Sequence, residues 1–441
     1  MGRMATLGNI LAGAALILVL AASSASAATS VAGHLRTMVD NNPDFSNLSV
    51  SAQRNNYVIL TDAHVDDMRR MKAANPNLKV LVYKNLTGSR TDCVSPNSVC
   101  TAGVTYQQAD SKHPEWFLLN KRGERIRFSD YTDLWAMDVG SVSYQSQWAD
   151  NVVTEVNRDG WDGVFLDDTN TTMKYHYPAS DIAKYPTDAA WQSATQSALA
   201  VIGPRIQAAG RLAIANIGSW HEYPAVGDSW LSYLSGGMQE HFAKWGNSPD
   251  SGYADQGTWQ RMLNSAKYAQ SHGKAFLGVT NSSDGDAAAA RYGWASILLA
   301  AQGSADFALH DDYTYENWFP EYDYDIGDPT GPESTDSNGI HRRVFTKGIV
   351  VVNPTSGGLS ASLGGTYSGS GLAGVSSVSL PPHTGYVLTA SAPTPPTTTT
   401  TTTPTTKTPT TTTTPSNPHG HPKPKRSSRK KARLKRRRLR T

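Results

Sequence analysis

The chain has 441 residues, with 40 Lys and Arg against 37 Asp and Glu, for a net charge of +3. It is too long for one small domain, no stretch after the leader is apolar enough to span a bilayer, and two cysteines allow no more than one local disulfide. The near-neutral total hides an asymmetry: Lys407 and twelve Lys or Arg between Lys423 and Arg440 lie in a stretch without an acid. With those and Arg3 set aside, 26 basic side chains face 37 acidic ones in the body, which points to two separate jobs for body and tail.

In chain order, Arg3, the apolar residues 7–22 and Ala25-Ser26-Ala27 read as a signal peptide over 1–27, cleaved to leave an exported, soluble protein. A membrane anchor is the competing reading. Residues 28–332 alternate short apolar runs with helical patterns. The expected strands are Tyr57–Leu60, Val80–Tyr83, Leu134–Val139, Gly163–Asp167, Leu212–Ile217, Gly237–His241, Ala275–Thr280 and Ala305–His310. Helical spacing recurs at Val65, Met68 and Met71, at Trp148, Val152 and Val156, and at Trp259, Leu263, Ala266 and Ala269. Eight strands alternating with helices predict an α/β fold, a (β/α)8 TIM barrel. The alternative, an open doubly wound sheet, usually carries a Gly-rich phosphate loop, and none is found.

Outside the cytosol, Cys93 and Cys100 are expected to form one disulfide closing a small loop. Residues 335–391 lose the helical period and read as a small C-terminal all-β sandwich domain. Residues 392–422 are a Thr/Pro-rich linker, and 423–441 a disordered basic tail.

Polar residues gather at the expected strand ends. Asp62 follows the first, Lys84 the second, and Asp138 ends the third. Asp167 and Asp168 end the fourth, Asn216 the fifth, Glu240 the sixth and Asp311 the eighth. Strand-end Asp residues often only cap helices. Asp168 fits that role, Asp167 less well, and Glu240 poorly, since Glu is a weak N-cap. Two facing carboxylates are what glycosidic cleavage needs. Asp167 and Glu240 are therefore the expected catalytic residues, with Asp167 as nucleophile or base. Expected substrate-binding residues are Asp62, Tyr83, Lys84, Asp138, Asp168, Asn216, Trp220, Trp245 and Asp311, the aromatics serving as sugar platforms. No cofactor is implied. Asp311, Asp312, Asp323 and Asp325 lack EF-hand spacing, and no zinc motif occurs.

Trp116–Asn120, Trp135–Val139 and Gly160–Asp168, with Gly348–Pro354 and Leu380–Tyr386, resemble a bacterial family called glycosyl-hydrolase-like family 15, over roughly residues 45–390. It is related to the polygalactosaminidase and α-galactosidase group of barrels. The resemblance implies a TIM barrel acting on glycosides, with a catalytic Asp ending the fourth strand, matched by Asp167, and a second acid ending the sixth, matched by Glu240. The chain departs from chitinase-like barrels, whose motif ends in Glu two residues after an Asp. Here Thr169 and Asn170 stand at those positions. The expectation is a secreted glycoside hydrolase cleaving a polysaccharide or oligosaccharide. Two readings compete with it: a catalytically inactive carbohydrate-binding barrel and a cell-wall-associated scaffold. The tail's expected partner is an anionic cell-wall polymer or a membrane surface. It lacks aromatic residues for base stacking, so no nucleic acid is expected.

Overall fold

A computed structural model of the protein describes residues 31–38, 44–95, 99–177 and 179–391. The leader, the Thr/Pro linker and the basic tail lie outside the described residues. Eight parallel strands close into a barrel in sequence order: β1 (Ala32–Met38), β2 (Tyr57–Leu60), β3 (Lys79–Asn85), β4 (Gly163–Asp167), β5 (Leu212–Asn216), β6 (Gly236–Glu240), β7 (Ala275–Asn281) and β8 (Ala305–His310). β8 pairs back onto β1, with Ala32 opposite Ala305, so no strand edge is left open. The helices are α1 (Leu48–Arg54), α2 (Val65–Ala74), α3 (Tyr106–Lys112), α4 (Val142–Asp159), α5 (Asp188–Ala208), α6 (Pro224–Trp230), α7 (Gln256–Ser271) and α8 (Ala287–Ala300). Among the described residues no helix is long and apolar enough to cross a membrane.

Strand alternation sorts the side chains into two cores. Leu35, Ile59, Leu81, Phe165, Ile214, Met238 and Leu277 fill the barrel interior. Val58, Val80, Val82, Val164, Leu166 and Ala215 point outward and pack with Trp148, Val152 and Val156 of α4 and Trp259 and Leu263 of α7. Local signals set the helix ends. The side chains of Thr187, Asp255 and Asp286 accept backbone N–H groups at the starts of α5, α7 and α8. Gly160, at φ 87°, ends α4 in the left-handed region and turns the chain into β4.

Two strand expectations need correction. β1 was not among the eight expected strands, because Ala32–Met38 carries His34, Arg36 and Thr37. All three are buried. The Arg36 guanidinium donates to Ser51 Oγ at 2.5 Å and Asp44 O at 2.7 Å, and His34 stacks on Trp294 at 4.5 Å. Leu134–Val139, expected as the third barrel strand, is not in the barrel. Leu134–Ala136 pairs antiparallel with Gly88–Arg90 in the long excursion between β3 and β4. Leu134, Ala136, Met137 and Val139 are buried there, so the segment's hydrophobicity reported burial and not barrel membership. The omission and the surplus cancel, and Gly163–Asp167 remains the fourth strand and the one ending at Glu240 the sixth.

The C-terminal strands are β9 (Ser334–Thr335), β10 (His341–Phe345), β11 (Gly348–Asn353), β12 (Leu359–Gly369), β13 (Leu372–Leu380) and β14 (Thr384–Ala390). They form an antiparallel sheet in the order β9-β10-β11-β14-β12-β13, separate from the barrel sheet. Phe345, Val350, Val352 and Val387 join the core that holds α8. The Arg343 guanidinium donates to the carbonyls of Leu298 at 2.9 Å and Ala301 at 2.6 Å, placing a cation at the C-terminus of α8. On the other face Ile349, Val351, Ala361, Leu363, Val378 and Leu380 make a small core of their own.

Candidate active site

The rim at the C-terminal ends of the barrel strands is set by the same alternation. Asp167, Asn216 and Glu240 stand two residues beyond the inward-facing Phe165, Ile214 and Met238, so all three side chains turn inward at the top of the barrel. Asn216 Nδ2 donates to Asp167 Oδ1 at 2.9 Å and to Glu240 Oε2 at 2.8 Å. One amide nitrogen thus ties the two carboxylates together. The second oxygen of each has its own donor. Tyr83 Oη donates to Asp167 Oδ2 at 2.5 Å, and Tyr313 Oη to Glu240 Oε1 at 2.5 Å.

The two acids sit in different fields. Burial, then the charges of Asp168 and Glu240, push Asp167 up to about 7, against the pull of the Tyr83 and Asn216 bonds. Burial also opposes ionisation of Glu240. There the nearby His241 and His310 and the bonds from Tyr313 and Asn216 prevail and hold it below the usual Glu value. Burial pushes His310 down to about 4, against the pull of the Glu240 charge. It stacks on the Tyr313 ring at 3.5 Å. Below about pH 7 the pair therefore favours a proton on Asp167 and a charge on Glu240, which is the asymmetry acid–base chemistry needs.

Backbone strain gathers at the same rim. Among the described residues, seven non-glycine residues have positive φ, and five of them follow barrel strands: Asp168, Ser219, His241, Ala243 and Tyr313. Such conformations persist where surrounding contacts over-determine them. Asp168, at φ 53°, accepts from Asn85 Nδ2 at 2.5 Å and lies 3.5 Å from His176 Nε2. Tyr313, at φ 62°, can thereby reach Glu240.

Of the expected binding residues, Tyr83, Asp168 and Asn216 stand around the carboxylate pair. Trp245, 61% exposed, stacks on His241 at 4.9 Å beside Glu240. Asp311 accepts from Asn247, linking the loops after β8 and β6. Four others need correction. Lys84 follows the outward register of Val80 and Val82 and is wholly buried. Its Nζ meets Asp62 Oδ2 at 3.0 Å, Glu155 Oε1 at 2.8 Å and Cys100 O at 2.5 Å. Asp62 also accepts from Cys100 N at 2.9 Å. Lys84 and Asp62 thus clamp the loop closed by the Cys93–Cys100 disulfide and do not face the rim interior. Asp138 lies in the excursion, where Tyr185, Lys184 and Gly140 N occupy its oxygens. Trp220 is fully buried, with its Nε1 on Asp228 at 2.9 Å and its ring against Phe276. Tyr313, His241 and His310 escaped the sequence-based selection. Their signal was the run His310-Asp311-Asp312-Tyr313 and the step from Glu240 to His241 just past two strand ends. Among the described residues, no group of three or more His, Cys, Asp or Glu is arranged to hold a metal ion.

The family model described as hypothetical glycosyl hydrolase family 15 matches residues 72–349. Among solved structures, the chain is similar to the glycoside hydrolase domain of PelA from Pseudomonas aeruginosa. The identity is 15% and the TM-score 0.44, over 64% of this chain and 96% of that one. It is also similar to the maltogenic α-amylase AmyB from Thermotoga neapolitana, at 11% identity and TM-score 0.43, over 82% of this chain and 99% of that one. An α-amylase from Lactobacillus plantarum aligns at 10% identity and TM-score 0.44, over 81% and 99%. No curated protein matches the chain.

Proposed function

The chain belongs to hypothetical glycosyl hydrolase family 15, and from that premise we propose that it cleaves O-glycosidic bonds of a polysaccharide or oligosaccharide with Asp167 and Glu240. Family and barrel support glycan hydrolysis in general. The carboxylate pair rests on one observation, the single Asn216 amide that bonds both acids. Two hydrogen bonds of 2.9 and 2.8 Å from one nitrogen keep the facing oxygens closer than the ~6.5–9.5 Å that an inverting pair needs for its water. The spacing supports a retaining double displacement.

The electrostatics support roles opposite to the sequence expectation. Asp167, protonated, gives its proton to the leaving glycosidic oxygen. Glu240, ionised and steadied by Tyr313 and Asn216, attacks the anomeric carbon and forms a covalent glycosyl ester. Asp167, now a carboxylate, takes a proton from water as that water attacks the anomeric carbon, which frees Glu240. Trp245 offers an open indole face to the apolar face of a sugar ring.

The roles are separable with aryl glycosides of the hydrolysed sugar, found by screening the body against a glycan panel. Asp167→Asn should still release a burst of a leaving group that needs no proton and then stall at the glycosyl ester, while Glu240→Gln should lose the burst as well. Full activity in both variants ends the assignment. We also propose that the protein is exported after cleavage behind Ala27 and that its cationic tail holds it on an anionic cell-wall polymer or membrane surface. A chain ending at Ala390 should lose surface retention and keep hydrolysis. Unchanged retention would remove the role of the tail.

A further inference from the structure

The excursion between β3 and β4 carries a second concavity that the catalytic pair does not use. It is a cavity of about 350 Å3, and its lining includes Asn120, Glu124, Arg127, Trp135, Tyr177 and Asp181. That volume falls within the ~300–1,000 Å3 of small-molecule sites. Two aromatic residues in its wall carry polar atoms with no hydrogen-bond partner, Trp135 Nε1 and Tyr177 Oη, both buried. An unpaired buried donor costs about five- to 150-fold in an equilibrium, so an occupant that reached both atoms would be stabilised. Arg127 lies over the Trp135 ring at 4.1 Å and is exposed. It is tethered through one hydrogen bond to Thr132 O at 3.1 Å, and its displacement uncovers the indole.

Charges around the cavity nearly balance. Arg122 pairs with Glu124 at 2.7 Å and Arg125 with Asp110 at 2.5 Å. That leaves Arg127 and Asp181, one of each sign, which suits a neutral ligand rich in hydroxyl groups. Aromatic walls beside planar amide, guanidinium and carboxylate groups have the chemistry that recognises a sugar ring by its apolar face and its polar edge.

The cavity is also connected to the catalytic rim. Tyr177 follows His176, which lies 3.5 Å from Asp168, the neighbour of Asp167. Phe128 packs on both His176 and Tyr177, and Ser129 N donates to His176 O at 3.0 Å. Two exposed rings, Tyr131 at 55% and Tyr175 at 53%, belong to the same two segments. We infer that this cavity is a distal subsite holding a neutral sugar unit of a glycan chain whose scissile bond lies at Asp167 and Glu240. The inference rests on the glycan-hydrolase reading, and it makes the substrate a polymer.

The test uses the whole protein with 15N-labelled indoles. Trp135→Phe identifies the Trp135 signal, and maltohexaose, cellohexaose and chitohexaose serve as probes. At least one hexasaccharide should shift that signal saturably. The same shift should persist in Glu240→Gln, and Tyr177→Phe should weaken it about threefold to tenfold. Hydrolysis of a hexasaccharide with the Trp135 signal unmoved by all three overturns the subsite and leaves the enzyme reading standing. A shift without hydrolysis of any glycan shows sugar binding at the cavity but removes the enzyme reading, and with it overturns the cavity's role as a subsite of a cleaved chain. No shift and no hydrolysis removes both.

Discussion

The two ends of the barrel each bury a carboxylate, and burial is the first cause that pushes both up to about 7. Asp306 sits at the floor, near the start of β8, where Asn56 Nδ2 donates to it at 2.8 Å. A Cβ at Gly33 would fall 1.9 Å from Asn56 Nδ2 and 2.4 Å from Asp306 Oδ1, so glycine is needed beside that pair. Asp167 sits at the rim with Asp168 and Glu240 as charged neighbours and two donors of its own. A perturbed acid is therefore not by itself a catalyst. What distinguishes the rim is a second acid held in the opposite protonation state through a shared amide.

That comparison breaks most sharply on substitution. Glu240→Gln and Asp167→Asn should each lower kcat/KM on a natural glycan by about a thousandfold or more. Asp306→Asn should change it less than about threefold. Comparable losses at both ends would mean that the floor acid takes part or that the rim acids act only through folding.

The pH profile should sharpen the contrast. In the proposed mechanism Asp167 is protonated and Glu240 ionised, so activity should fall as pH rises through about 7. It should also fall on the acid side, below the usual Glu range. Asp306→Asn should keep the alkaline limb near 7, while residual activity of Asp167→Asn on activated aryl glycosides should lack it. Tyr313→Phe removes a donor to Glu240 and should move the acid limb to higher pH, with kcat down about tenfold.

The smallest effect is on stability, and here the two ends should agree. A carboxyl raised on folding contributes stability that is complete below its unfolded value, near 3.8. That contribution is lost as pH rises through about 7. Asn mimics the neutral form. Both Asp306→Asn and Asp167→Asn should then stabilise the fold at pH 8 by on the order of 4 kcal/mol, and the gain should vanish near pH 4. Thermal unfolding at the two pH values measures it.

Much of the fold was legible because parallel strands are buried on both faces and read as apolar runs, as Gly163–Asp167 does. β1 was hidden because Arg36 and His34 find their partners inside the fold, in Ser51, Asp44 and Trp294, which no local pattern reveals. The candidate pair was legible as acids ending two strands, but its division of labour was not. That depends on Tyr313, which meets Glu240 only once the barrel closes. Trp220 and Trp245 hold equivalent positions after successive strands. One is buried against Phe276 and the other lies open on His241. Lys84 looked like a rim cation, but its outward register sends it to Asp62 and Glu155.

The assignment of Glu240 as nucleophile is tested most directly by trapping the covalent intermediate. A 2-deoxy-2-fluoro glycoside of the hydrolysed sugar, with an activated leaving group, should inactivate the protein stoichiometrically. Peptide mapping should then find the sugar on Glu240. A sugar on Asp167, or turnover with inverted anomeric configuration and no adduct, would contradict the account.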